Sequence, residues 1–216
     1  MSDELQHAEV LPPTQQAVLS DLGRFAASHG FYLAGGTAVA LHLGHRRSVD
    51  LDWFIEDELS DPQRFAATLK SEGLDWITGQ TATGTLHGSI RGVKVSFLSY
   101  RYPLIDALTD VTGYACKMAS LRDLVSMKAA AAAQRGTKKD FVDIWALGRQ
   151  GFTIGEILEL YRRKYDTQDV AHVLMSLTYF DDAELEPMPM MLVDADWDAI
   201  KDELRASVRD FANHNR

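Results

Sequence analysis

The segment Val49-Asp50-Leu51-Asp52-Trp53-Phe54-Ile55 constrains the chain more than any other stretch. Apart from its two aspartates it is β-branched, aliphatic or aromatic, which reads as a strand. Alternate strand residues project from one face, so Val49, Leu51 and Trp53 share one side and Asp50, Asp52 and Phe54 the other. Two carboxylates about 4 Å apart repel by roughly 4 kcal/mol at an effective dielectric near 20. An apolar strand that carries such a pair needs a compensating cation. A hard divalent ion with oxygen ligands meets that need. The bland alternative is a solvated sheet edge on which both aspartates face water.

The residues upstream weigh against the bland alternative. Phe31 to Ala34 is a short buried strand stopped by Gly35-Gly36, and Thr37 to Leu43 has helical character ending near Gly44, a plausible C-cap. Glycines between a strand and a helix let the backbone come close to a ligand, and a helix N-terminus offers N–H groups to an anion. Gly35, Gly36 and Thr37 are therefore candidates for cradling phosphates, with Arg47 and Ser48, just before the Asp strand, as further nucleotide contacts. Together the turn and the paired acids point to a site for a divalent metal (Mg2+ or Mn2+) and a nucleoside triphosphate.

Composition narrows the setting. With 46% apolar residues in 216, the chain can bury a sizeable core without staples. A single cysteine, Cys116, excludes an internal disulfide framework and is expected to be inert. No cationic start with an apolar run and no stretch near 20 apolar residues is found, so neither a secretory signal nor a membrane span is expected, and the reading is cytoplasmic. The formal charge of −9 argues against broad capture of nucleic acid. Any such contact needs a local basic patch: Arg46-Arg47, Lys138-Lys139 or Arg162-Arg163-Lys164.

Along the chain, the apolar spacing predicts helices over 14–28 and from Asp61-Pro62, strands between Trp76 and Tyr100 with a two-residue hairpin turn at Arg91-Gly92, and helical character after Pro103. Further helices are predicted over 121–134, 137–147, 153–165, 167–179 and 197–212, with 181–191 a connecting loop. The expected class is α+β: a mixed part over residues 1–110 and a helical part over 111–216.

Ala34-Gly35-Gly36-Thr37-Ala38 followed by His45-Arg46-Arg47-Ser48-Val49-Asp50-Leu51-Asp52 resembles the DNA polymerase beta-like nucleotidyltransferase superfamily, and within it the AbiEii/AbiGii-type toxins of abortive-infection (type IV) toxin–antitoxin systems. Lys128, Arg135, Lys139-Asp140 and Asp143 resemble a second signature of that group. The resemblance implies a small mixed sheet with flanking helices, a helical part closing over the nucleotide, transfer of a nucleotide to RNA (a tRNA end included) or to a protein hydroxyl, and an antitoxin partner. Lys128 would then neutralise the triphosphate and Asp140 and Asp143 would position a hydroxyl or a second cation. Residue chemistry offers plainer roles: Thr137 and Asp140 have capping-box spacing, and Lys139 with Asp143 is an i, i+4 ion pair. One departure stands out. The superfamily presents a third carboxylate on a later strand, where this chain has Ser96, with Lys94 on the same face. Asp106, Asp110 and Asp140 are candidate substitutes, and a catalytically weak nucleotide-binding module is the alternative.

Overall fold

The computed structural model describes residues 7–111 and 113–214. Helix α1 (Pro13–Ser28) opens with proline at its first position, where no N–H is missed, and buries Val18, Leu19, Leu22 and Ala26. Strand β1 (Tyr32–Ala34) passes directly into α2 (Gly35–Leu43), which begins two residues before the expected start and ends on Gly44 at φ 64°. Strand β2 (Asp50–Ile55) buries Leu51 and Trp53 fully and leaves Asp50 and Asp52 partly open. Helix α3 (Pro62–Ser71) is capped by the Asp61 carboxylate, which accepts from the Arg64 N–H. The meander β3 (Trp76–Ala82), β4 (Thr85–Ile90) and β5 (Val93–Ser99) follows, and its last turn has φ 50° at Arg91 and 80° at Gly92. Those angles suit a two-residue hairpin turn whose twist matches the strands.

The helical character expected after Pro103 is corrected by two further strands, β6 (Thr109–Val111) and β7 (Cys116–Met118). They pair antiparallel, and β7 runs parallel to β1 with Leu33 opposite Met118. Three residues are too few to show a strand period. Pairing with the open side of β1 supplies the strand instead, and Ala119 N–H extends it by donating to the Leu33 carbonyl at 2.9 Å. The seven strands form one mixed sheet in the order β3-β4-β5-β2-β1-β7-β6, in which β2 runs parallel to β5 and antiparallel to β1. Cys116 is buried in β7, and burial pushes its thiol up to about 12.

Helices α4 (Leu121–Gln134), α5 (Lys138–Arg149), α6 (Ile154–Tyr165), α7 (Ala171–Ser176) and α8 (Trp197–His214) complete the fold. The alanine run lies on α4, where Ala129, Ala130 and Ala132 are buried against neighbouring elements. Helix α7 is shorter than 167–179 because Asp166 turns left-handed at the end of α6 and the Asp169 carboxylate takes the Ala171 N–H, restarting the helix late. Buried apolar residues from the sheet and from α4, α5 and α6 form one continuous cluster. The segment after α7 is not a free connection. Arg47 N–H donates to the Met190 carbonyl at 2.8 Å and Leu192 N–H to the His45 carbonyl at 2.9 Å, so it runs as a strap beside residues 45–47.

Candidate active site

The glycine turn sits directly over the aspartate strand. Gly35 has φ 65°, and a Cβ there would lie 2.6 Å from Asp52 Oδ2. A Cβ on Gly36 would lie 2.6 Å from Arg46 Nη2. Both positions therefore need glycine for close approach, and Gly35 needs it for its backbone angle as well. The buried Thr37 hydroxyl donates to the Asp50 carbonyl and lies 2.8 Å from Ser48 Oγ. Gln15 Nε2 donates to the same carbonyl at 3.1 Å, so α1, α2 and β2 are tied at this point. Asp50 and Asp52 share the face that looks into a cleft. Burial raises the Asp52 carboxyl above its ordinary range, the Asp50 charge adds to that, and a hydrogen bond from Ser96 opposes it.

Beneath the glycine turn lies an ion cluster built on two buried acids. Asp143 is fully buried and accepts from Arg46 Nε at 2.6 Å and Nη2 at 2.8 Å, with Lys128 Nζ at 2.7 Å and His45 Nε2 at 2.8 Å. Asp140, also fully buried, accepts from Lys128 Nζ at 3.1 Å, Arg135 Nε and Nη2 at 2.8 and 2.9 Å, and the Thr137 hydroxyl at 2.6 Å. Burial opposes ionisation of both acids. For Asp143 the charges of Lys128 and Arg46 outweigh it, and for Asp140 the Arg135 bonds and Lys128 do, so both stay well below the usual carboxylate range. Lys128, Arg46 and Arg135 together exceed the two carboxylates by one positive charge before His45 is considered.

Several local expectations are corrected here. The Thr137 side chain makes no cap to the α5 backbone, and its hydroxyl donates instead to the Asp140 carboxylate. Lys139 does not pair with Asp143, which faces the interior; its ammonium lies 3.9 Å from Asp50 Oδ2. His45 is buried with Nε2 on Asp143 Oδ1 at 2.8 Å. Lys138 is buried with its ammonium on the Glu184 carbonyl at 3.2 Å, and Lys164 is buried on Asp123 at 2.7 Å, so those two basic runs do not form surface patches. Asp106 and Asp110 lie beside Arg122 and Lys117, and neither lines the cleft.

The cleft has a volume of about 670 Å³. Arg46, Arg47, Lys128, Arg135 and Lys139 line it on one side with Asp50 and Asp52, while Phe54, Leu98, Tyr100, Tyr102 and Tyr165 form an apolar wall. The Tyr102 ring stands edge-on to Tyr100 and Tyr165, with centroids 5.1 and 4.6 Å away. Pro189 and Met190 of the strap close one rim. The tyrosine wall and His87, which also lines the cleft, were missed from sequence. For the tyrosines no local pattern existed, since Tyr100 and Tyr102 come from the loop after β5 and Tyr165 from the end of α6. His87 had a signal: a two-residue turn at 91–92 fixes the pairing of 87 with 96. A second cavity of about 720 Å³ lies between α5, α6 and α8; of its acids Glu203 and Asp210, Glu203 is engaged by Trp145 Nε1 at 2.8 Å.

The family model described as nucleotidyl transferase AbiEii toxin, type IV TA system, matches residues 17–213. The chain belongs to the AbiEii family. An uncharacterised protein of Aquifex aeolicus (strain VF5) is 32% identical over 205 residues, covering 93% of this chain and 97% of that protein. Among solved structures, a nucleotidyltransferase-like antigenic protein of Paracoccidioides brasiliensis aligns over 74% of this chain and 92% of its own at 18% identity and a TM-score of 0.47. The Megavirus polyadenylate synthase aligns over 62% of this chain at 14% identity and a TM-score of 0.45, and this AbiEii chain spans 31% of that enzyme. As an AbiEii member the protein is a nucleotidyltransferase. The two stretches that carried the resemblance meet in space, since Arg46 from the first and Lys128, Arg135 and Asp143 from the second belong to one cluster. Among the described residues, no helix of this AbiEii chain is long and apolar enough to cross a membrane.

Proposed function

We propose that the cleft moves a nucleotide from a nucleoside triphosphate to a hydroxyl of an RNA or protein acceptor, with a divalent cation (Mg2+ or Mn2+) held by Asp50 and Asp52. The observation that supports this best is the Asp52 carboxyl. It is partly buried beside a second acid, the charges of Lys128 and Lys139 only partly offset the pair, and α2 starts directly above it. Two carboxylates with further positions left to phosphate and water suit a hard divalent ion. No group of three or more His, Cys, Asp or Glu side chains suited to a metal occurs among the described residues, so the pair fits a site completed by substrate. When bound, such an ion neutralises developing charge on the phosphates and aligns them for in-line displacement.

The remaining roles follow from position. The N–H groups at the start of α2, exposed by Gly35 and Gly36, cradle the phosphates. Arg47 and Lys139, both partly exposed on the cleft, balance the triphosphate charge. Lys128 and Arg135 supply positive potential from below, and Asp140 and Asp143 act as positioning residues that hold them and Arg46 in place. Thr37 and Ser48 fix the turn. The tyrosine wall takes the base, whose π-face stacks on aromatic side chains. In this reading the protein is a cytoplasmic toxin neutralised by an antitoxin.

The test is transfer of α-labelled nucleotides, with Mg2+ or Mn2+, to total RNA and to lysate protein. Label is expected on one acceptor class with wild type and none with Asp50→Ala. Equal labelling by both would refute the assignment. Expression should arrest growth, and Asp50→Ala should relieve the arrest.

A further inference from the structure

The position where a third carboxylate was expected is not chemically empty. In the sheet register Asp52 on β2 lies opposite Ser96 on β5, and Ser96 lies opposite His87 on β4. The three side chains therefore form a row across adjacent strands on the cleft face. Ser96 donates a hydrogen bond to Asp52. His87 Nδ1 is 3.1 Å from Ser96 Oγ, and the imidazole lines the cleft.

The proton positions in this row follow from donor and acceptor inventory. An ionised carboxylate only accepts, and a serine hydroxyl has one proton to give. With Asp52 ionised, the Ser96 proton points to Asp52. The remaining contact of Ser96 Oγ must then be accepted, so His87 Nδ1 carries a hydrogen. A neutral imidazole protonated on Nδ1 presents a bare lone pair on Nε2. The same logic orients the base in any nucleophile–base–acid chain.

We propose that His87 is the general base of the transfer reaction, held in the required tautomer by Ser96 and Asp52, and that it takes the place of the missing third acid. His87 Nε2 accepts the proton of the acceptor hydroxyl as that oxygen bonds to the α-phosphorus. The bond from the α-phosphorus to the oxygen bridging to the β-phosphorus breaks, and pyrophosphate leaves with the electron pair. The proton then passes from Nε2 to water. The plain alternative is a surface histidine on a hairpin. Ser96 distinguishes the two, because it fixes one face of the ring over the cleft.

This inference rests on the transfer reading above, and two measurements separate their fates. Imidazole ¹⁵N shifts of the full chain with Mg2+ should report His87 protonated on Nδ1 in wild type, and Ser96→Ala should lose that preference. A wild-type His87 protonated on Nε2 overturns the proposal whatever the activity. In the RNA or lysate labelling assay, His87→Gln should lower the rate at saturating nucleotide about 100-fold or more, the lower end for a lost general base. Nucleotide affinity by calorimetry should stay within about twofold, and added imidazole should partly restore His87→Ala. Unchanged transfer by both variants sinks the base alone. A wild-type chain that labels no acceptor sinks the transfer reading and the base with it.

Discussion

Arg46 grips Asp143 through two parallel hydrogen bonds, Nε to Oδ1 at 2.6 Å and Nη2 to Oδ2 at 2.8 Å, joining the loop after α2 to α5 across 97 positions of sequence. Bidentate pairing of this kind is geometrically specific, and lysine cannot reproduce it. The pair holds the floor of the glycine turn in place, because Arg46 Nη2 fills the space that a side chain on Gly36 would take.

Removal of Asp143 strands Arg46 and Lys128 in the interior. Asp143→Ala is expected to cost about 3–5 kcal/mol, the usual penalty for breaking a buried pair from one side. Urea titration measures it. Asp50→Ala, on the open face, should stay within about 0.5 kcal/mol of wild type. Equal losses would mean that the two acids do not differ in the way described.

Gly35→Ala combines a left-handed backbone angle with a Cβ lying against the Asp52 carboxylate. A loss of about 1–3 kcal/mol is expected from strain alone. Mn2+ binding by calorimetry should weaken at the same time, since Asp52 must move. Undiminished metal affinity would show that Asp52 is not a ligand.

Two kinds of acid give two opposite pH responses. Asp52 binds its proton more tightly folded than unfolded, so its stabilising share is present below the unfolded value and is lost as pH rises through the higher folded value. A cation must displace that proton. Mn2+ affinity should therefore fall as pH is lowered toward the raised Asp52 value, with proton release visible in buffers of different ionisation enthalpy. Asp52→Asn should bind weakly and without release. Asp140 and Asp143 behave in reverse: their contribution is complete above about pH 4 and is lost as pH falls further, through their depressed folded values. Acid unfolding of the metal-free chain should thus be steep below about pH 4 and blunted in Asp143→Asn.

Arg47 and Lys139 reach the cleft from the surface, so their loss should touch binding and leave folding alone. Arg47→Ala and Lys139→Ala are each expected to raise the nucleotide Kd about tenfold, an effect that shrinks as salt rises. Tyr102→Ala should raise it by a salt-independent factor of similar size, because stacking rather than charge is removed. Calorimetry at two ionic strengths distinguishes the cases.

The glycine turn, the paired acids and the boundaries of α4 and α5 were legible because each has a local signal: Gly-Gly after an apolar strand, alternation over 49–55, and helical spacing after Ser120 and Thr137. Strands β6 and β7 were not, being three residues each and dependent on the open side of β1. The partners of Lys128, Arg135, Asp140 and Asp143 were also hidden. The i, i+4 spacing of Lys139 and Asp143 suggested pairing along one helix, whereas burial turned Asp143 toward Lys128 and a loop nearly one hundred residues earlier. His87 lies between these extremes. Its pairing with Ser96 follows from the hairpin arithmetic, but its importance shows only once Ser96 is seen beside Asp52.

Five cationic side chains, Arg46, Arg47, Lys128, Arg135 and Lys139, gather at one mouth of a chain whose formal charge is −9. Asp50, Asp52, Asp140 and Asp143 offset four of those five charges, so to a long polyanion the body as a whole is repellent and this mouth carries a small positive surplus. It favours threading a tip inward over lying down along a strand, so grip on a nucleic acid would depend little on the polymer's length.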